Sequence, residues 1–98
     1  MRKLVRDEIP RILESRGVGF RLYRAEGEEL CRLLIEKLRE EVEELAQSMS
    51  VEEAADVLEV LEAIARRCIG VDWSEVLRIR ELKRRERGGF EMGYVIEV

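Results

Sequence analysis

Histidine, asparagine and threonine are absent from this 98-residue chain, and cysteine, tyrosine and phenylalanine occur only twice each. Without an imidazole no Ser-His-Asp or Cys-His triad is available, and two thiols alone do not make up the usual zinc ligand sets. Long apolar runs are missing too. Met1-Arg2-Lys3-Leu4-Val5 is followed at once by charges, so neither a signal peptide nor a membrane span is expected, and a cytoplasmic location follows. A basic excess is also lacking: the formal net charge of -4 disfavours nucleic acid as the main partner, although basic residues cluster near the C-terminus.

Charge itself is abundant. Charged residues make up 41% of the chain, with Glu far commoner than Asp and Arg far commoner than Lys, a composition typical of heat-adapted proteins. A chain of this length is expected to form one domain over residues 1–98. Its core supplies little surplus stability, so a homodimer or larger homo-oligomer, a metal or another staple is expected. Cys31 and Cys68 fall on apolar helical stripes, where thiols act as small hydrophobes, and a reducing cytosol argues against pairing them. A bridge between their helices is the heat-adapted exception.

The pattern predicts a mainly α fold of about four helices in an antiparallel hairpin or bundle. Asp7-Glu8-Ile9-Pro10 opens a short first helix near residues 8–16, closed by Gly17. Leu30, Leu34, Leu38, Leu45 and Met49 mark the apolar stripe of a second. Ser50-Val51-Glu52-Glu53 and Asp72-Trp73-Ser74-Glu75 are capping boxes for a third and a fourth, and Gly88-Gly89 stops the last. Residues 20–24 and 94–98 alternate apolar and other side chains as strands do, and they are expected to pair in a small two-stranded sheet.

The chemistry is concentrated in acids. At about 100° per residue, Lys37, Glu40, Glu41 and Glu44 share one arc of helix two, while Glu53 and Asp56 lie within and beside the apolar face of helix three. Carboxylates drawn toward a helix interface must be protonated, hydrogen-bonded or bound to a cation. With no nitrogen or sulfur donors nearby, such a set suits Mg²⁺ or Mn²⁺. The competing reading is a solvated Glu-rich surface with ordinary i,i+4 pairs and Glu53 as the third residue of its capping box. Glu40 and Glu44 nevertheless repel at i,i+4, and Asp56 has no capping role. Arg80, Lys83, Arg84 and Arg87 turn the end of helix four basic, which suits either the helix dipole or a polyphosphate.

These segments resemble the all-α nucleoside triphosphate pyrophosphohydrolases of the MazG and phosphoribosyl-ATP pyrophosphohydrolase-like superfamily. Lys37-Leu38-Arg39-Glu40-Glu41-Val42-Glu43-Glu44 looks like their Lys-Leu-x-Glu-Glu-x-x-Glu segment, and Glu53-Ala54-Ala55-Asp56 looks like their Glu-x-x-Asp segment. The opening Lys3-Leu4-Val5-Arg6-Asp7-Glu8-Ile9-Pro10 and the closing Arg87-Gly88-Gly89-Phe90 are similar to those of small archaeal and bacterial members. The resemblance implies Glu41, Glu44, Glu53 and Asp56 as Mg²⁺ ligands and Glu40 as the residue that orients or deprotonates water. Lys37, Lys83, Arg87 and Arg6 would bind the phosphates. It implies cleavage of a nucleoside triphosphate between the α- and β-phosphates in a nucleotide-clearing role, by oligomers whose neighbouring subunits complete the pocket. Only eight residues separate Glu44 from Glu53, so a longer substrate-covering loop is missing. The chain also lacks the Tyr-Thr segment of the histidine-pathway phosphoribosyl-ATP enzyme, which leaves that role as the runner-up. A non-catalytic helical assembly or nucleotide-binding module is the alternative from another class.

Overall fold

The computed structural model describes residues 2–98, and every regular element among them is helical. Helix α1 spans Ile9–Ser15 with Pro10 in its first turn, where a missing N–H costs no intrahelical bond. Its N-cap is Glu8 rather than Asp7, and the Glu8 carboxylate accepts from Arg11 Nε at 2.8 Å instead of capping the helix. Helix α2, Gly27–Ser48, carries Glu28 and Glu29 in its first turn, where the helix dipole favours them. Helix α3, Val51–Ile64, starts at Ser50, whose hydroxyl accepts the Glu53 N–H at 3.3 Å. Helix α4, Trp73–Arg87, starts at Asp72, whose carboxylate accepts the Ser74 N–H at 3.1 Å.

Between α2 and α3 the chain turns on Met49 and Ser50. Met49 takes the left-handed conformation (φ 48°), and its N–H reaches back to Leu45 O at 2.8 Å. The result is the antiparallel hairpin expected from the sequence, and it is the main packing unit. At its open end α3 widens into a π-helical turn, Ala65–Ile69, closed by Gly70 at φ 83°, where a side chain would be strained. Leu30, Leu34, Ile64 and Ala65 are the buried apolar residues, with Leu4, Leu38, Val60 and Cys68 packed around them.

Two expectations are corrected. Residues 20–24 and 94–98 lie in no helix and form no sheet, since neither has a partner strand. Cys31 and Cys68 are not free core-filling thiols: they form a disulfide with Cα atoms 5.8 Å apart, closing the open end of the hairpin. The expected mainly α fold of four helices is what is observed, with α4 making its principal contact with the π-helical turn. Trp73 and Val76 are half-buried there, whereas Leu77 is exposed. The molecule is accordingly elongated, 54 × 31 × 25 Å. Its radius of gyration is 17.1 Å, against about 13 Å for a compact chain of this length. Among the described residues no helix is long and apolar enough to cross a membrane.

Candidate metal centre

Helix phase and a short turn set the acids. Glu41 lies two turns below Leu34 on the inward side of α2, and Glu53 and Asp56, three apart, occupy one face of α3. The hairpin brings them together: one carboxylate oxygen each from Glu41, Glu53 and Asp56 lies within 4.8 Å of the others. Glu41 is only 6% exposed, and Glu53 and Asp56 are half-buried.

Glu41 Oε1 meets Lys37 Nζ at 3.2 Å, but Glu41 Oε2 and Glu53 Oε2 are buried without any hydrogen-bond partner. An unmatched buried oxygen carries the full cost of its lost hydration, so these two are relieved either by a proton or by a cation. The capping-box reading of Glu53 is only half filled. Its N–H reaches Ser50, yet its Oε2 is left unpartnered beside the other acids. Desolvation, followed by the negative charges of Glu44 and Asp56, raises the Glu53 pKa above the ordinary carboxylate value.

A donor set of carboxylate oxygens fits a hard divalent cation, with water completing the shell. Oxygens sharing one Mg²⁺ lie about 3–4 Å apart, so small side-chain rotations close the three around an ion. Glu44 is exposed and lies outside this triplet, near enough to act on Glu53.

Glu40 lies outside the triplet but shares a lysine with Glu41: its Oε1 has Lys3 Nζ at 3.0 Å and Lys37 Nζ at 3.8 Å. The Lys3 hydrogen bond, then the Lys37 charge, hold its pKa below the usual carboxylate range, so it stays ionised. Arg6 donates to Asp56 Oδ1 at 2.6 Å and sits 3.7 Å from Glu59. Of the expected phosphate binders, Lys37 and Arg6 therefore lie against the acids. Lys83 and Arg87 do not pair with them; Lys83 lines an open apolar groove with Ile69, Val76 and Ile79. Asp56 and Ala65 are nine residues apart, or about 13 Å along the α3 axis, and α4 departs from the far end.

Sequence reasoning missed Lys3 and Glu59. Lys3 stands three residues before Arg6 in the opening basic segment, and Glu59 repeats the three-residue acid spacing of Glu53 and Asp56; both signals were present. Around the cluster Glu40, Glu41, Glu44, Glu53, Asp56 and Glu59 outnumber Lys3, Arg6 and Lys37, leaving a local deficit of positive charge. Comparison of the chain with known protein families, with curated proteins and with solved structures finds no match.

Proposed function

We propose that the protein is a Mg²⁺-dependent nucleoside triphosphate pyrophosphohydrolase, with Mn²⁺ as a substitute ion, producing a nucleoside monophosphate and pyrophosphate. The observation that carries this reading is the pair of buried, unpartnered oxygens on Glu41 and Glu53 beside Asp56. Such a triplet gains nothing structurally from its mutual repulsion and has the donor chemistry of a polyphosphate-handling cation site. Glu41, Glu53 and Asp56 would hold the ion, and Glu44, at the rim, would join through a rotamer change or a water. When bound, the cation would neutralise phosphate charge and favour water as a nucleophile.

The chain's own residues have distinct tasks in this scheme. Glu40, kept anionic by Lys3 and Lys37, accepts a hydrogen bond from the attacking water and orients it toward the α-phosphorus. The water oxygen forms the new bond to that phosphorus, its proton passes to the Glu40 carboxylate, and the α–β bridging oxygen leaves with the pyrophosphate. Lys37 and Arg6, held at the acid edge, bind phosphate oxygens and offset the leaving group's charge. Lys83 and Arg87 lie apart from these acids in one protomer, so in a homo-oligomer they would serve a neighbouring copy's site. The role is nucleotide-pool clearance.

A panel of nucleoside triphosphates with millimolar Mg²⁺ should release pyrophosphate, and Glu41→Gln and Asp56→Asn should each abolish that release. Unchanged turnover in both variants would remove the triplet from the chemistry. Nucleotide binding with no Mg²⁺-dependent pyrophosphate release would instead establish a non-catalytic module.

A further inference from the structure

Residues 20–24 and 94–98 have the composition of strands, yet neither is paired in a sheet. Among the described residues, no backbone hydrogen bond outside the helices involves residues 19–25 or 94–98. Their apolar side chains are correspondingly open to water: Leu22 is 63% exposed and Ile96 86%. Tyr23, on the opposite face from Leu22, is already engaged, donating to Glu29 at 2.8 Å with the Arg2 guanidinium 5.8 Å from its ring centre. The Phe20 and Leu22 face, together with the backbone edge, is what remains free.

The fold keeps the two segments from meeting within one chain. Residues 20–24 lead into the start of α2, which the disulfide ties to the π-helical turn. Helix α4 leaves that turn as a rod of 15 residues, about 22 Å long, and residues 94–98 follow it after a turn at Phe90–Gly93.

We propose that residues 94–98 of one copy add antiparallel to residues 20–24 of a second copy, and reciprocally, making a twofold dimer with exchanged tails. One register satisfies both segments: Arg21 faces Glu97, and Leu22 faces Ile96. In it Phe20 meets Val98 on the apolar face, and opposite charges meet directly across the strands, an arrangement that favours pairing. A fully overlapped parallel pairing sets Arg21 against Val95, and the parallel register that restores the charge match is shifted by two residues and leaves residues 23–24 and 94–95 without partners. Backbone donors and acceptors gain partners by strand addition, and two reciprocal exchanges close with point symmetry, so no fibre grows. This inference uses none of the acidic residues, so it stands or falls separately from the hydrolase reading.

The test is sedimentation of the full chain with charge reversals. Arg21→Glu alone and Glu97→Arg alone each place like charges at both exchanged contacts, and each is expected to weaken the dimer about tenfold. Mixed in equal amounts, the two variants restore opposite charges at both contacts, so a heterodimer of near wild-type affinity is expected. Ile96→Lys, at a position outside the core, should leave the far-ultraviolet helical signal unchanged and shift the protein to monomer mass. A wild-type monomer, association unaltered by all three substitutions, or weakening that mixing fails to rescue would each overturn the exchange.

Discussion

Breaking the Cys31–Cys68 bridge provides the sharpest test of how this small fold is held. The bridge closes a segment with a sequence separation of 37 residues, containing the hairpin turn and the whole acid cluster. The loop-entropy relation for a closure of that size gives about 4 kcal/mol at 25 °C, through restriction of the unfolded chain. Total stabilities of small domains are about 5–15 kcal/mol, and this core has few buried apolar residues, so the staple supplies a large share. Reduction should lower the melting temperature by about 15–30 °C. The Cys31→Ala/Cys68→Ala protein should melt close to the reduced wild type. Urea unfolding followed by circular dichroism at one fixed protein concentration measures the difference while keeping association constant. Thiol titration of the untreated, unfolded protein should find no free cysteine. Two free thiols in that titration, or equal urea midpoints before and after reduction, would refute the reasoning.

Other perturbations separate packing, charge and capping. Leu34→Ala, at a position only 5% exposed beside Leu30 and Ile64, should cost about 2–5 kcal/mol in urea unfolding; a smaller loss would mean that this cluster is not the core. Glu53→Gln removes a charge whose neighbours Glu41, Glu44 and Asp56 repel it, so the metal-free protein should melt higher than wild type. Under the proposed metal site, Mg²⁺ should raise the melting temperature of the wild type by mass action and leave that of this variant unchanged, and an equal rise in both would exclude Glu53 as a ligand. Hydrogen bonds from Ser74 hold the Asp72 pKa below its ordinary value. Its stabilisation of α4 is therefore present above the unfolded pKa and is lost as pH falls through the lower folded value. Helicity should drop in that acid range for wild type, and Asp72→Ser, which caps without titrating, should show a flatter profile.

Much of the helical plan is readable from local chemistry. Ser50 and Asp72 cap the helices expected of them, and the Leu30, Leu34 and Leu38 stripe identifies the inward side of α2. Glu41, Glu53 and Asp56 could be brought to one interface because helical phase and a short turn are both local properties. What escaped prediction depends on long-range geometry. Alternation at 20–24 and 94–98 shows that each segment suits a strand but cannot supply the neighbour. The widening of α3 at Ala65–Ile69 has no composition signature, and it sends α4 away from the hairpin, separating Lys83 and Arg87 from the acids. The cysteine pairing was equally hidden, since the same apolar stripes that suit buried thiols also bring Cys31 and Cys68 within bonding reach.

Met49 has a consequence that extends beyond its own turn. Because α2 passes into α3 through Met49 and Ser50 alone, the connector works as a phase-setter for everything after it. A residue inserted there would change how the α2–α3 turn closes and so the face that α3 presents to α2, which is the face carrying Glu53 and Asp56 toward Glu41. Connector length, more than connector composition, is therefore the variable that keeps three distant letters of the sequence within reach of one another.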